Sequence, residues 1–390
     1  MRGERSRGAM LVGCALLAAA CGASPGAGSG GPGPIAAGGG AGGRVEADGA
    51  AAVPDAGDAS GTGWIAGAGA GGAPAPCADP AAIACAGTMV GPWCVDQFLV
   101  GDPGSPAFTG LWAGGPADVW AVGSRVDSSG AAESDGFAFH WDGCTWTQAP
   151  AAAPAGLREV WGAAASDVWA VGPGGTALHF DGRTWTRVAA GTMSSFWSVS
   201  GTAGNDVWAL GDGGPFHWDG TAWAASAGFP AAAAGQVAGD IWAVAPGDVW
   251  AVGNQSTVVH FDGATWTAAP AGGTGALLGI WSDGASACAV GEGNQILEMA
   301  AGTWIAVQAG DGGPAGFRNV MAAGTDVWAV GQSVVHASSG GPFPPDHHLP
   351  TPDFAFRGLW VTATQIWASG TGPLPGVAGA RGAVVVHRAR

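Results

Sequence analysis

The chain has 390 residues, with 74 Gly, 21 Trp and no Tyr, and its 13 basic residues are all Arg against 29 acidic ones. The formal charge of −16 argues against a nucleic-acid binder, whose phosphate contacts need a basic face, and against electrostatic docking on anionic lipid. The absence of Tyr rules out any mechanism with a Tyr nucleophile or acid.

Arg2, Arg5 and Arg7 precede an apolar run from Met10 to Ala20, which ends in three Ala before Cys21. That order reads as a secretory signal over residues 1–20. The run is too short to span a bilayer, which takes about 20 apolar residues. Leu17-Ala18-Ala19-Ala20-Cys21 resembles a bacterial lipoprotein box, and the resemblance implies acylation of Cys21 after cleavage just before it. The usual Leu of that box stands one position nearer the Cys, so cleavage after Ala20 with release of a soluble protein is the alternative. Residues 21–76 hold mostly Gly, Ala, Ser and Pro. They read as a disordered linker spanning about 40 Å on average, with Trp64-Ile65 its one bulky spot. The expected address is export, as an outer-membrane or cell-surface lipoprotein of a bacterium (otherwise secreted or periplasmic), held to the membrane by the lipid alone.

From residue 93 onward the chain repeats. Asp118-Val119-Trp120-Ala121-Val122-Gly123 recurs at 167–172, 206–211, 248–253 and 326–331, with degenerate copies at 286–291 and 365–370. The central positions 120, 169, 208, 250, 288, 328 and 367 lie 49, 39, 42, 38, 40 and 39 residues apart. Each unit offers four strand-sized pieces. The first ends in an apolar residue plus Trp, as in Val160-Trp161, with Phe196-Trp197 taken as the equivalent in the third unit. The second is the Val-Trp-Ala-Val piece. The third runs into a His, and the fourth begins at a pair such as Thr184-Trp185. Asp-Gly at 142, 181, 219 and 262 marks a tight hairpin between third and fourth pieces. A period near 40 with four short strands predicts an all-β, seven-bladed β-propeller of four-stranded blades over residues 77–390. The last unit lacks a fourth strand, and Trp93-Cys94-Val95 precedes the first. The N-terminal strand is therefore expected to complete the seventh blade and close the ring.

The His-[Phe/Trp]-Asp-Gly-x-Thr-Trp run resembles a shortened Asp-box of the BNR-type propellers, and the step is similar to that of WD-repeat and kelch propellers. The resemblance covers about residues 93–390. The runs lack the Asp-box Ser, and they lack the Gly-His opening and terminal Trp-Asp of WD repeats. The likeness implies an architecture and no particular activity.

Cys77, Cys85, Cys94 and Cys144 cluster around the closure and the first unit, and in an exported chain they read as two disulfides with three pairings open. Cys288 takes a second-strand Trp position and reads as a buried thiol. His140, His179, His217, His260, His336 and His387 share one repeat position, with Glu298 in the seventh place. Third strands of adjacent blades lie about 9 Å apart at that radius, too far for one metal, so these are expected to be hydrogen-bonding core residues. The Asp before each Val-Trp reads as a turn residue. The loop Asp127–Asp135 could bind calcium but is read as a solvated acidic loop, and Asp346-His347-His348 is a weak candidate metal site. No cofactor or metal is assigned.

Arg158, Arg318 and Arg357 each stand three residues before the bulky position of a first strand, so they share one place near the mouth of the central channel. Convergent Arg forks suit carboxylate or sulfate recognition. In sialidases, which are also propellers, Arg residues near the axis grip a substrate carboxylate, but their Tyr nucleophile has no counterpart here. The competing reading pairs these Arg residues with local carboxylates such as Glu159. No catalytic constellation stands out. The sequence is thus read as a monomeric, non-catalytic binding or scaffold module for an extracellular glycan or protein, with these three residues as its ligand contacts. The alternative is a polysaccharide-acting hydrolase or lyase. Two unpaired carboxylates in a channel-facing pocket would favour the enzyme, and a channel filled by Ala and Val the scaffold.

Overall fold

The computed structural model describes residues 65–66, 87–90, 93–99, 105–126, 133–269, 271–300, 302–308, 316–324, 326–337, 354–373 and 381–390. The signal, Cys21, nearly all of the linker, Cys77, Cys85, most of the 127–135 loop and Asp346-His347-His348 fall outside these residues. No helix among the described residues is long and apolar enough to cross a membrane.

Seven antiparallel sheets follow one another along the chain. Blade 1 comprises Ser105–Gly115, Asp118–Val126, Glu133–Trp141 and Trp146–Ala155. Blades 2 to 5 repeat the same meander, each beginning with its innermost strand: Glu159–Ala164, Phe196–Ala203, Ile241–Ala245 and Leu277–Ser282. Blade 6 shows three strands among the described residues, starting at Phe317–Ala323. Blade 7 holds Ala355–Val361, Gln365–Pro373 and Arg381–Ala389. Its fourth strand is Trp93–Leu99, whose Cys94 and Phe98 pair with His387 and Ala383. The innermost strands touch one another in cyclic order, and that of blade 7 touches that of blade 1. The chain is an all-β, seven-bladed propeller latched by its N-terminal strand. Two short pieces also pair with the latch: Thr88–Val90, and Ile65–Ala66 against Leu99 and Phe98. Ile65, expected in the linker, thus extends the last sheet.

The Trp periodicity has a packing cause. Each blade is covered on both faces, so its second strand is apolar at both parities: Val119, Trp120, Ala121 and Val122 are all buried. The second-strand Trp of one blade then meets aromatic rings of the next. Trp120 packs edge-on against Trp185 at 5.1 Å, Trp169 against Trp223 at 5.5 Å, Trp250 against Trp304 at 5.7 Å, and Trp367 of blade 7 against Trp146 of blade 1 at 6.2 Å. Such pairs contribute about 0.5–1.5 kcal/mol each beyond the apolar area they bury.

The repeated His and Asp are partners. His140, His179, His217 and His260 bond through Nε2 to Asp118, Asp167, Asp206 and Asp248 at 2.6–2.8 Å, and His336 lies 3.4 Å from Asp326. Each ring also lies against the Trp opposite it in register, as His260 does on Trp250 at 3.9 Å. These five histidines are half-buried rather than core residues, because the third strand lies well out along the blade. The Asp before Val-Trp therefore orients a His as well as opening a strand.

Two blades depart from this unit. Blade 7 has Gln365 in the Asp position, and the latch supplies the missing carboxylate: Asp96 lies 3.3 Å from His387 and accepts the Trp146 indole N–H at 3.0 Å. Blade 5 has Cys288 opposite Glu298 in place of the Trp–His pair. Cys288 is a free, buried thiol, whereas Cys94 and Cys144 are disulfide-bonded.

The Asp-Gly hairpins are longer than the sequence suggests. Trp141 pairs with Trp146, so the loop has four residues, closed by Asp142 N–H to the Thr145 carbonyl. Asp142 Oδ1 accepts the N–H groups of Cys144 and Thr145, and Gly143 adopts φ of 96°, which only Gly adopts freely. The same loop recurs at Asp181, Asp219 and Asp262.

Candidate binding site at the channel mouth

The pairing register gives every innermost strand a common reference. Opposite the second-strand central residue stand Trp112, Trp161, Ser200, Trp242, Trp281, Met321 and Trp360. Blade 3 corrects the sequence alignment here: Ser200, not Trp197, faces Trp208, and Phe196 pairs further along with Gly211. Phe196-Trp197 imitates the apolar-plus-Trp signature three residues too early.

Three residues before that reference lie Thr109, Arg158, Trp197, Gly239, Leu278, Arg318 and Arg357. All seven line one cavity of about 160 Å³. The three Arg residues singled out from sequence are thus brought together, and Trp197, misplaced by sequence, joins them at the same level. The Arg158 guanidinium stacks on the Trp197 ring at 3.7 Å, and the Trp197 indole donates to Asp212 at 2.7 Å. Arg357 is exposed, and Arg158 and Arg318 are half-buried.

One residue deeper, Glu159, Ser198, Asp240 and Asn319 also line the cavity. Blade 1 carries Gly110 at this level, where a Cβ would come within 2.6 Å of the Glu159 carboxylate. Asp240 accepts the Ser198 hydroxyl at 2.6 Å and the Ile241 and Ile280 N–H groups at 2.9 and 3.0 Å. Glu159 accepts the Val160 N–H at 3.1 Å. Burial pushes the Asp240 carboxyl up to about 6 against these hydrogen bonds. Burial, with the nearby charge of Asp240, raises Glu159 well above the ordinary Glu range. Asp240 was invisible as a site residue in the sequence, and Glu159 was considered only as an Arg partner. The usable signal was positional, since both stand two residues before the reference Trp of their strands.

Below this layer the channel narrows to a space of about 30 Å³ lined by Trp161, Trp242, Met321, Leu359 and Trp360. Trp242 and Trp360, from blades 4 and 7, approach to 6.1 Å, and Trp112 lies 6.4 Å from Trp360. Aromatic and aliphatic side chains share this space, since Val160, Val199, Leu111 and Ile241 also line it.

Among the described residues one cluster has metal-ligand geometry: Cys94, Asp96 and His387, within 4.8 Å of one another. The Cys94 sulfur is in a disulfide, so it offers no thiolate, and Asp96 is engaged by Trp146.

No protein-family model matches the chain, and no curated protein matches it in sequence. Solved structures share its fold. YCF48 from Cyanidioschyzon merolae is 15% identical with a TM-score of 0.54, over 75% of this chain and 98% of that one. The WD40 propeller domain of Doa1 is 11% identical with a TM-score of 0.56, over 73% and 94%. The extracellular domain of BT4673 from B. thetaiotaomicron is 9% identical with a TM-score of 0.52, over 73% of this chain and 40% of that one. At these identities the likeness is one of fold.

Proposed function

We propose that this propeller is an exported, non-catalytic binding module that engages an extracellular glycan or protein through the cavity at its channel mouth. The supporting observation is the convergence there of Arg158, Arg318 and Arg357 with Trp197. Arg and Trp are enriched among the residues that carry most of the binding energy at protein interfaces. In this reading residues 1–20 direct export, Cys21 carries the lipid, and residues 21–76 hold the head away from the membrane. Cys77 and Cys85 complete two disulfides with Cys94 and Cys144, and the chain acts as a monomer. The kinship with BNR-type propellers belongs to the same proposal and is carried by the His-x-Asp-Gly runs.

A thermal-shift screen of acidic, neutral and basic small ligands tests the reading, because a ligand that binds the folded state alone raises the Tm. A ligand that stabilises the chain but leaves the Arg158/Arg318/Arg357→Ala variant unmoved supports it. Ligands that stabilise both equally would place binding elsewhere.

A second reading, a polysaccharide-acting hydrolase or lyase, draws on Glu159 and Asp240 facing one cavity with raised pKa values. Their hydrogen bonds to strand N–H groups give both carboxylates a structural task, which favours the binding module. Hydrolysis of an acidic polysaccharide that is abolished by Glu159→Gln would reverse this preference.

A further inference from the structure

The cavity carries opposite charges on different sectors. Arg158, Arg318 and Arg357 come from blades 2, 6 and 7, and the carboxylates Glu159 and Asp240 from blades 2 and 4. Arg318 forms no ion pair with any described residue. Blade 4 has Gly239 at the rim, so no side chain from that position screens Asp240. A Cβ there would lie 2.3 Å from the Leu277 carbonyl oxygen, so the close approach of the neighbouring strand keeps this sector open. The nearby charge of Asp240 acts on Glu159. Arg318 at the rim and the acidic layer one residue deeper thus share one small volume.

That arrangement disfavours ligands of one sign. A lone anion satisfies Arg318 and leaves the acidic layer unpaired, and a lone cation does the reverse. A molecule bearing both charges satisfies both sectors, and its cation offsets the repulsion between Glu159 and Asp240. The cavity of about 160 Å³ has room for a small molecule or for the charged end of a larger one.

We propose that the channel-mouth cavity receives a small zwitterion, its carboxylate held by Arg318 at the rim and its ammonium group by Asp240 and Glu159 beneath. This rests on the reading of the cavity as the binding site and names the ligand class.

The test is calorimetric titration of the purified full chain with glycine, β-alanine, γ-aminobutyrate and ε-aminocaproate, which graduate the charge separation. Butyrate and butylamine carry one charge each and serve as comparisons. At least one zwitterion is expected to bind, with butyrate and butylamine weaker by about tenfold or more, the usual cost of losing one charged hydrogen bond. Arg318→Gln and Glu159→Gln should each cost the zwitterion about tenfold or more with no fall in Tm, since the amide oxygen placed at position 159 can still accept the Val160 N–H. Butyrate binding as tightly as the best zwitterion, with loss in Arg318→Gln, would overturn the zwitterion and keep the site. So would an acidic sugar that binds through Arg318 where no zwitterion binds. Zwitterion binding indifferent to both substitutions would overturn site and ligand class together. Failure of every probe would overturn the zwitterion alone, leaving the site to be decided by the thermal-shift screen.

Discussion

Glu298 offers a sharp test of the packing argument, because it occupies the His position of blade 5, which has neither the Trp nor the His of the repeated unit. Its side chain lies in the third strand of blade 5 opposite Cys288, it is 3% exposed, and its Oε1 has no hydrogen-bond partner. Burial raises its carboxyl from 4.5 to about 7. The folded chain therefore keeps this proton up to about pH 7, whereas the unfolded chain releases it near pH 4.5. Unfolding releases a proton between those values, so this group's contribution to stability is full below pH 4.5 and falls as pH rises toward 7. A difference of about 2.5 units at about 1.4 kcal/mol per unit gives a loss of about 3 kcal/mol, most of it between pH 5 and 7. Glu298→Gln keeps the shape and removes the titration. Denaturant unfolding of both proteins at pH 5 and pH 8 should show the wild type losing about 2–3 kcal/mol more than the variant over that interval. Equal pH dependence in the two proteins would refute the reasoning, since Glu298 would then be ionised in the folded state at no cost.

Three further outcomes are expected. A chain beginning at residue 102 lacks the strand that pairs with Arg381–Ala389, and its thermal midpoint should fall well below that of a chain beginning at 76; equal midpoints would contradict the latch. Asp248→Ala removes the acceptor of the His260 bond at 2.8 Å and should lower stability by about 1 kcal/mol, read from the denaturant midpoint; an unchanged midpoint would show the His–Asp pair to be idle. Asp219 is held down to about 2 by the Thr221 hydroxyl and by the Ala222 and Thr221 N–H groups. Its contribution is present above the unfolded value of 3.8 and lost as pH falls toward 2, so Asp219→Asn should flatten the acid limb of the stability profile; an unaltered limb between about pH 4 and pH 2 would count against that turn chemistry.

Much of the fold was legible because every blade needs the same bulky ring at the same depth. Trp120, Trp169, Trp208, Trp250, Trp328 and Trp367 mark the second strand, and the missing last strand pointed to Trp93 as the latch. Register within the innermost strand was less legible. Phe196-Trp197 carries the expected signature, but pairing with the second strand, not local pattern, fixes which residue faces Trp208. The same limit concealed half of the candidate site. Arg158, Arg318 and Arg357 attracted notice because Arg is scarce and recurs in register. Asp240 is one of many acidic residues, and its place two residues before Trp242, matching Glu159 before Trp161, was easily passed over. The partnership of five of the His residues with the Asp before Val-Trp was also missed, because the two are joined by cross-strand register and not by nearness in sequence.

The most direct test of the central claim, that ligand binding resides at the channel mouth, is an array of extracellular glycans and peptides probed in parallel with the chain and its Arg158/Arg318/Arg357→Ala variant at matched Tm. The account predicts a set of ligands bound by the native chain and lost in the variant. An identical set bound by both proteins would contradict it.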